Sequence, residues 1–142
     1  MKQDTVIILA EDDEGHAGLI IRNLRRTGID NEILHFRNGE ETLNFLLSRN
    51  GGEHRKENVS YLLLLDLRMP KVDGIEVMRQ IKHDKKLRRM PVIVITTTDD
   101  PGEIELCYAL GCSSYIVKPV NFEEFNEAFR QLGNYLTTAV FP

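Results

Sequence analysis

The stretch that decides the fold reads Tyr61-Leu62-Leu63-Leu64-Leu65-Asp66-Leu67-Arg68-Met69-Pro70. A short, continuous apolar run that is bounded by turn signals is typical of a strand buried on both faces. Met69 and Pro70 cannot continue this strand, because proline lacks the N–H that a central ladder needs. We therefore predict that Asp66 lies at the carboxyl end of a central strand, the edge at which open parallel sheets bind ligands.

The composition favours one cytoplasmic domain and argues against several other classes of protein. Net charge is −4 over 142 residues, so no nucleic-acid-binding surface is indicated. No apolar run approaches the length of a membrane span, and the N-terminus lacks the long apolar core of a signal peptide. Cys107 and Cys112 show no metal-binding motif, so we predict free thiols in a reducing compartment. We expect a single domain over residues 1–142, with a C-terminal tail over 136–142 and no output domain.

Four more short apolar runs are predicted strands, and a helical pattern follows each of them. The runs cover residues 6–10, 32–36, 92–95 and 115–117. The last helix carries a predicted core-facing stripe of Phe122, Phe125, Phe129, Leu132 and Leu136. Residues 48–60 are polar and contain glycine, so we predict a long exposed loop at the amino side of the sheet. Regular alternation of strands and helices indicates parallel strands joined by right-handed crossovers.

Four predicted strands end in residues that could bind an anion and a metal ion. Glu11 and Asp12 follow the first strand, Asp66 the third, Thr96 the fourth and Lys118 the fifth. All strand-to-helix loops of such a fold open on one edge, where several carboxylates would repel each other without a cation. Oxygen ligands without His or Cys favour Mg²⁺, and a lysine and a hydroxyl complement an anion beside it. This set is typical of a phosphoryl site in which a carboxylate can be the nucleophile.

Each of these residues also has a plainer structural interpretation. A polar residue at a strand end often caps the following helix, and Glu14 fits that role. No glycine belongs to a GxGxxG or P-loop motif, so nucleotide binding is weakly supported. The four histidines are scattered and show no metal-ligand spacing. Only the occurrence of the full set at four strand ends favours a functional site.

Together, these motifs resemble the receiver domain of response regulators in two-component signalling. The resemblance covers essentially the whole chain and is carried by Glu11-Asp12, Asp66, Met69-Pro70, Asp73-Gly74, Thr96 and Lys118-Pro119. It implies a flavodoxin-like α/β fold, in which a parallel sheet of strand order 2-1-3-4-5 is flanked by five helices. It also implies a phosphorelay signalling protein that assists only its own phosphorylation and dephosphorylation and is otherwise not an enzyme.

The family resemblance implies a role for each matching residue. Asp66 would accept a phosphoryl group from a histidine kinase, and Thr96 and Lys118 would contact the phosphoryl oxygens. Mg²⁺ would be held, directly or through water, by Glu11, Asp12, Asp66 and the backbone carbonyl of Arg68. Thr96 and Tyr115 match the switch positions, and the Lys118–Pro119 peptide is expected to be cis. Thr97 departs from the family pattern of a very small residue, and its side chain would narrow access to the phosphoryl group.

A narrower resemblance concerns the kinase. The loop over residues 48–60, with the stretches 96–100, 118–122 and 131–135, is similar to the small regulators of bacterial and cyanobacterial phytochrome kinases. Those regulators lack an output domain. The resemblance therefore implies a stand-alone protein with a phytochrome-type kinase and a separate downstream protein as partners.

The C-terminal residues suggest self-association. Tyr135, Leu136, Val140 and Phe141 form an apolar group that we expect to be exposed beside the last strand and last helix. We therefore expect a homodimer formed through the last strand, the last helix and the tail. The alternative is that these residues fold back on the core.

Two other functions could use a similar architecture. An aspartyl-nucleophile phosphatase of the haloacid-dehalogenase type needs a second aspartate two residues after the nucleophile, where this chain has Arg68. A flavodoxin-like flavin-binding module needs a phosphate-cradling loop after the first strand, and the acidic residues 11–14 would repel that phosphate. Both alternatives are less well supported than the receiver.

Overall fold

The computed structural model of the chain, which describes residues 1–142, has five strands that alternate with five helices. Their order is β1 (Val6–Ala10), α1 (Glu14–Arg26), β2 (Ile33–Phe36), α2 (Gly39–Leu46), β3 (Tyr61–Leu65), α3 (Gly74–His83), β4 (Val92–Thr96), α4 (Pro101–Leu110), β5 (Ser114–Val117) and α5 (Phe122–Thr138). All strands are parallel, and their order in the sheet is β2-β1-β3-β4-β5. The fold class and the strand order predicted from the sequence are confirmed.

The leucine run of β3 forms the centre of the sheet. β3 pairs with β1 on one side and with β4 on the other. Because side chains alternate along a strand, Leu63 and Leu65 join the core beneath α2, α3 and α4, whereas Leu62 and Leu64 join the core beneath α1 and α5. All four leucines are completely buried, and each stabilises the fold by about 2 kcal/mol. An uninterrupted apolar run thus specifies a core on both faces of the sheet.

Every helix is preceded by an Asp or Asn that caps it. The side chain of this residue accepts a hydrogen bond from the backbone N–H three residues later, at 2.8–3.0 Å. The capping residues are Asp13, Asn38, Asp73, Asp100 and Asn121. Each cap stabilises its helix by about 1 kcal/mol. The caps also define where each loop at the carboxyl edge of the sheet ends.

Two predictions about the C-terminal region are wrong. The core-facing stripe of α5 begins at Phe125, because Phe122 lies in the first turn, packs on neither core cluster and is 62% exposed. In the apolar group of the tail, Leu136 is completely buried, as its place in the core-facing stripe predicted, and Phe141 packs against the core beneath α1 and α5. Only Tyr135 and Val140 of that group are exposed, so part of the tail folds back on the core.

The loop over residues 48–60 is confirmed as a long connection between α2 and β3. Part of it lies at the amino edge of the sheet, opposite to the strand end that carries Asp66. There it borders a cavity of about 560 Å³, together with the connection between α3 and β4 and residues 137–142. Cys107 and Cys112 are free thiols, as predicted. None of the helices combines the length and the apolar character that crossing a membrane requires.

Candidate functional site

Four buried polar side chains meet at the carboxyl edge of the sheet. Backbone hydrogen bonds align them, because the Asp66 N–H donates to the Ala10 carbonyl at 3.0 Å and the Lys118 N–H donates to the Thr96 carbonyl at 2.7 Å. The four residues are Glu11, Asp66, Thr96 and Lys118, and none is more than 4% exposed. Burying polar groups is costly unless they are paired, so such a cluster marks a candidate site.

Three carboxylates gather at this edge. One oxygen from each of Glu11, Asp12 and Asp66 lies within 4.8 Å of the other two. Glu11 and Asp66 are buried, whereas Asp12 is exposed. Burial raises the pKa of Glu11 to about 7; the hydrogen bond from Lys118 opposes this effect and the charge of Asp66 reinforces it. Oxygen ligands with one side open to solvent fit a hard cation such as Mg²⁺.

The ammonium group of Lys118 is the counter-charge of this cluster. Its Nζ lies 2.5 Å from Glu11 Oε1 and 3.2 Å from Asp66 Oδ2. The predicted cis peptide between Lys118 and Pro119 is wrong, since every peptide bond is trans. The amine reaches Asp66 nevertheless, because the backbone of Lys118 is hydrogen-bonded to the end of β4.

Thr96 ends β4 with a hydroxyl group that is buried and has no hydrogen-bond partner. An unsatisfied buried hydroxyl costs about 1–3 kcal/mol, so its presence calls for an explanation. A phosphoryl oxygen on Asp66 would be a strong acceptor for this hydroxyl. The residues at this edge therefore fit both a metal ion and a phosphoryl group.

Tyr115, the predicted aromatic switch residue, and Thr97, predicted beside the phosphoryl site, differ in exposure. Tyr115 is half-buried on β5, and its hydroxyl donates to the backbone carbonyl of Thr98 at 2.9 Å. Burial raises the pKa of Tyr115 to about 12, so the phenol remains a hydrogen-bond donor. Thr97 is exposed to solvent at the end of β4.

Arg68 connects the loop over residues 66–73 to α4, a contact that has no signal in the sequence. Its backbone N–H donates to Asp66 Oδ1 at 3.3 Å. Its guanidinium donates two hydrogen bonds of 3.0 Å to the carboxylate of Glu103, in the first turn of α4. Because this arginine occupies the position two residues after Asp66, the general acid of an aspartyl phosphatase is missing there.

Two histidines that show no pattern in the sequence also lie at this edge. His16, in the first turn of α1, places Nδ1 3.2 Å from Lys118 Nζ. His35, on β2, places Nε2 2.7 Å from the carbonyl oxygen of Glu11. The signal that could have revealed His16 is helical phase, since an N-cap at Asp13 puts residue 16 in the first turn, next to the strand ends.

Comparison with known proteins shows to which family the chain belongs. The family model of the response regulator receiver domain matches residues 7–130. The chain belongs to this receiver domain family. The probable methanogenesis regulatory protein FilR2 of Methanothrix harundinacea is 37% identical over 130 residues, covering 92% of this chain and 82% of FilR2. Response regulator Rcp1 of Synechocystis is 32% identical over 138 residues, covering 96% of this chain and 92% of Rcp1.

Solved receiver structures superpose closely on this chain. A receiver domain from Rhodospirillum rubrum does so with a TM-score of 0.89 at 42% identity, covering 96% of both chains. The Mn(2+)-bound form of Rcp1 has a TM-score of 0.86 at 33% identity, covering 96% of this chain and 98% of that one. The phosphorylated cyanobacterial phytochrome response regulator RcpA has the same score and identity, covering 98% and 99%. The chain is thus a two-component signalling protein that is similar to phytochrome response regulators.

Proposed function

We propose that this receiver accepts a phosphoryl group on Asp66 from the phosphohistidine of a histidine kinase. An oxygen of the Asp66 carboxylate attacks phosphorus, and the P–N bond breaks with its electron pair moving to the imidazole nitrogen of the kinase, which takes up a proton. The product is an acyl phosphate on Asp66. The observation that carries this proposal is a buried carboxylate 3.2 Å from a buried lysine, at a sheet edge that also holds the unpartnered hydroxyl of Thr96.

Each residue of the cluster has a task in this proposal. Lys118 donates to one phosphoryl oxygen and Thr96 donates to another, which stabilises the charge on the transferred group. The residues that would hold Mg²⁺ are Glu11, Asp12, Asp66 and Arg68, the last through its backbone carbonyl. When bound there, the ion supplies neutralisation of the negative charge on the carboxylates and the phosphoryl group.

Replacing Asp66 with Asn tests the acceptor. The change is nearly isosteric and removes the nucleophilic charge, so the Asp66→Asn protein should fold but show no labelling by acetyl phosphate in a mass spectrum. Asp73→Asn is the matched control, because asparagine also caps helices and the variant should be labelled normally. Full labelling of the Asp66→Asn protein would end the assignment.

Removing the metal tests the acidic cluster. EDTA should stop labelling, and Asp12→Ala should have the same effect in the presence of Mg²⁺, since the remaining ligands are too few to hold the ion. Undiminished labelling in chelator would show that the acidic cluster does not serve phosphoryl transfer.

The kinase is proposed to be of the phytochrome type, and the receiver to act as a stand-alone cytoplasmic regulator that turns over no metabolite. Similarity to RcpA and to two bacteriophytochrome response regulators, at 30–33% identity, supports this pairing. Similarity to FilR2, a probable methanogenesis regulatory protein at 37% identity, instead supports a kinase that is not of the phytochrome type. Transfer rates from purified candidate kinases with labelled ATP decide between them. Fast transfer from another kinase, with slow transfer from the phytochrome type, would overturn the pairing.

For the output, we propose that Thr96 moves toward the phosphoryl group and that Tyr115 rotates into the space behind it. This shift biases an existing equilibrium of the surface that α4, β5 and α5 share. Exposed apolar side chains on these elements support a homodimer there; they belong to Tyr108, Val117 and Tyr135. Deleting residues 137–142, and separately Tyr135→Ala, should weaken association without affecting Asp66 labelling. An unchanged monomer in sedimentation for every form would end the dimer proposal.

A further inference from the structure

The ammonium group of Lys118 has three hydrogens to donate and three acceptors within reach. Glu11 Oε1 lies at 2.5 Å, Asp66 Oδ2 at 3.2 Å and His16 Nδ1 at 3.2 Å from Nζ. The lysine side chain is only 2% exposed, so these protein groups are its acceptors in place of water, and the His16 side chain beside it is 35% exposed. The position of the amine therefore depends on all three contacts.

Of the three acceptors, His16 alone keeps the same chemical role throughout the proposed reaction. Under the proposed function, on which this inference rests, Asp66 becomes the acyl phosphate and Glu11 is shared with a metal ion. Both carboxylates then change their partners. The imidazole of His16 is neither a metal ligand nor a phosphoryl acceptor, so its Nδ1 is available to Lys118 before and after the transfer.

The contact also defines the chemical state of the ring. An ammonium group can only donate, so the contact is a hydrogen bond when Nδ1 of His16 is the acceptor and the ring hydrogen is on Nε2. The ring packs on Phe125, with centroids 5.1 Å apart, and the backbone N–H of His16 donates to Asp13 Oδ1 at 3.0 Å. The other carboxylate oxygen of Asp13 is 3.8 Å from Nδ1, which is beyond hydrogen-bond distance.

We infer that His16 is a positioning residue that holds the Lys118 amine toward Asp66 and thereby accelerates phosphoryl transfer. Without an acceptor at Nδ1, one N–H of the ammonium group loses its protein partner. The amine then also loses the contact that holds it on the side of α1. The loss of one net hydrogen bond corresponds to about a fivefold lower rate.

Three variants test this role by initial rates of labelling with acetyl phosphate and Mg²⁺. His16→Ala removes the acceptor and should label about fivefold more slowly. His16→Asn places an amide oxygen close to the position of Nδ1 and should recover to within about twofold of the wild type. His83→Ala, at the exposed end of α3, is the matched control and should label normally. A wild-type rate for His16→Ala, or no recovery in His16→Asn, would overturn the inference.

A second measurement does not depend on phosphorylation. In ¹⁵N NMR of the metal-free protein, His16 should show an unprotonated Nδ1, and the Lys118 ammonium should exchange slowly in the wild type and quickly in His16→Ala. If the wild-type protein shows this NMR signature but is not labelled by acetyl phosphate, the proposed function and the rate effect are overturned. The contact between His16 and Lys118 is then still supported. Normal labelling with a protonated Nδ1 would overturn this inference alone.

Discussion

The two edges of the sheet differ in how they hold charge. At the carboxyl edge, Glu11, Asp66 and Lys118 are buried together within hydrogen-bond distance. At the amino edge, the ion pair between Lys86 and Glu57 joins side chains that are 68% and 77% exposed. Removing one partner of a buried pair is strongly destabilising, whereas exposed pairs have little effect on stability. The carboxyl edge thus buries charged groups whose stability depends on their partners, and the amino edge has no such constraint.

The two edges also differ in how closely other atoms pack against the backbone. A Cβ on Gly74, at the start of α3, would lie 2.4 Å from the carbonyl oxygen of Asp66. A Cβ on Gly51, in the long loop that reaches the amino edge, would meet no atom within 4 Å. Close packing around Asp66 holds the backbone of this residue in place, while the loop has room for larger residues.

The largest effect on stability should come from removing the buried cation. Lys118→Met leaves Glu11 and Asp66 without a counter-charge, so we expect a loss of about 3–5 kcal/mol in the free energy of unfolding at pH 8. The control is Lys86→Met at the amino edge, which should leave the urea midpoint unchanged because its ion pair is exposed. Equal losses in both variants would remove the contrast between the two edges.

A smaller loss should follow from filling the space beside Asp66. Gly74→Ala brings a methyl group against backbone atoms of Asp66 and Leu67, and overpacking of this kind costs about 3 kcal/mol. Gly18→Ala, on the exposed face of α1 with no atom within 4 Å of the new Cβ, should instead stabilise the protein by up to about 1 kcal/mol. Urea unfolding measures both, and a stabilised Gly74→Ala protein would contradict the close packing.

The pH dependence of stability should also report on the carboxyl edge. Burial raises the pKa of Glu11 from 4.5 to about 7, so the folded protein holds this proton more tightly than the unfolded chain. Stability without Mg²⁺ should therefore fall by about 2–3 kcal/mol as pH rises from 4.5 to 7, and level off above.

Two variants sharpen this pH prediction. The stability of Glu11→Gln should not decrease between pH 4.5 and 7. At pH 8 this variant should be more stable than the wild type, because the substitution removes the repulsion between the carboxylates of Glu11 and Asp66. Asp66→Asn should be slightly more stable for the same reason. Urea unfolding at pH 5 and pH 8 checks both variants, and an unchanged slope in Glu11→Gln would assign the fall to other groups.

The smallest effect concerns the ion pair between Arg68 and Glu103. The arginine side chain is 65% exposed, so Arg68→Ala should change global stability by less than about 1 kcal/mol. Amide hydrogen exchange in α4 should nevertheless become faster, with α1 unchanged. Arg37→Ala, which breaks the exposed pair with Glu14, is the control and should leave α4 exchange unchanged.

Local patterns in the sequence were sufficient for the fold and for the positions of the main polar residues. An apolar run that stops at Asp66 or Thr96 defines a strand end, and parallel strands bring their ends to one edge whatever the details of packing. The residue types at those ends then narrow the chemistry. This is why Glu11, Asp66 and Lys118 could be placed together before their contacts were known.

Properties that depend on side-chain direction could not be predicted in this way. The contact between His16 and Lys118 joins residues 102 positions apart and depends on the phase of α1. The exposure of Phe122 depends on which parts of α5 the sheet and α1 cover. The peptide before Pro119 is trans although the amine still reaches Asp66, so the position of the amine did not determine the isomer.

The packing of α4 has a consequence for the proposed output of the receiver. Of its ten residues only Cys107 is buried, whereas α3, of equal length, buries four. A helix with so few buried contacts shifts at low free-energy cost. Two side-chain hydrogen bonds link α4 to its surroundings. Arg68 donates to Glu103 in the first turn of the helix, and Tyr115 donates to the carbonyl of Thr98 just before the helix. Under the proposed phosphorylation of Asp66, the added charge would have two separate routes to α4, so removing one of the two contacts would weaken the response of this helix without abolishing it.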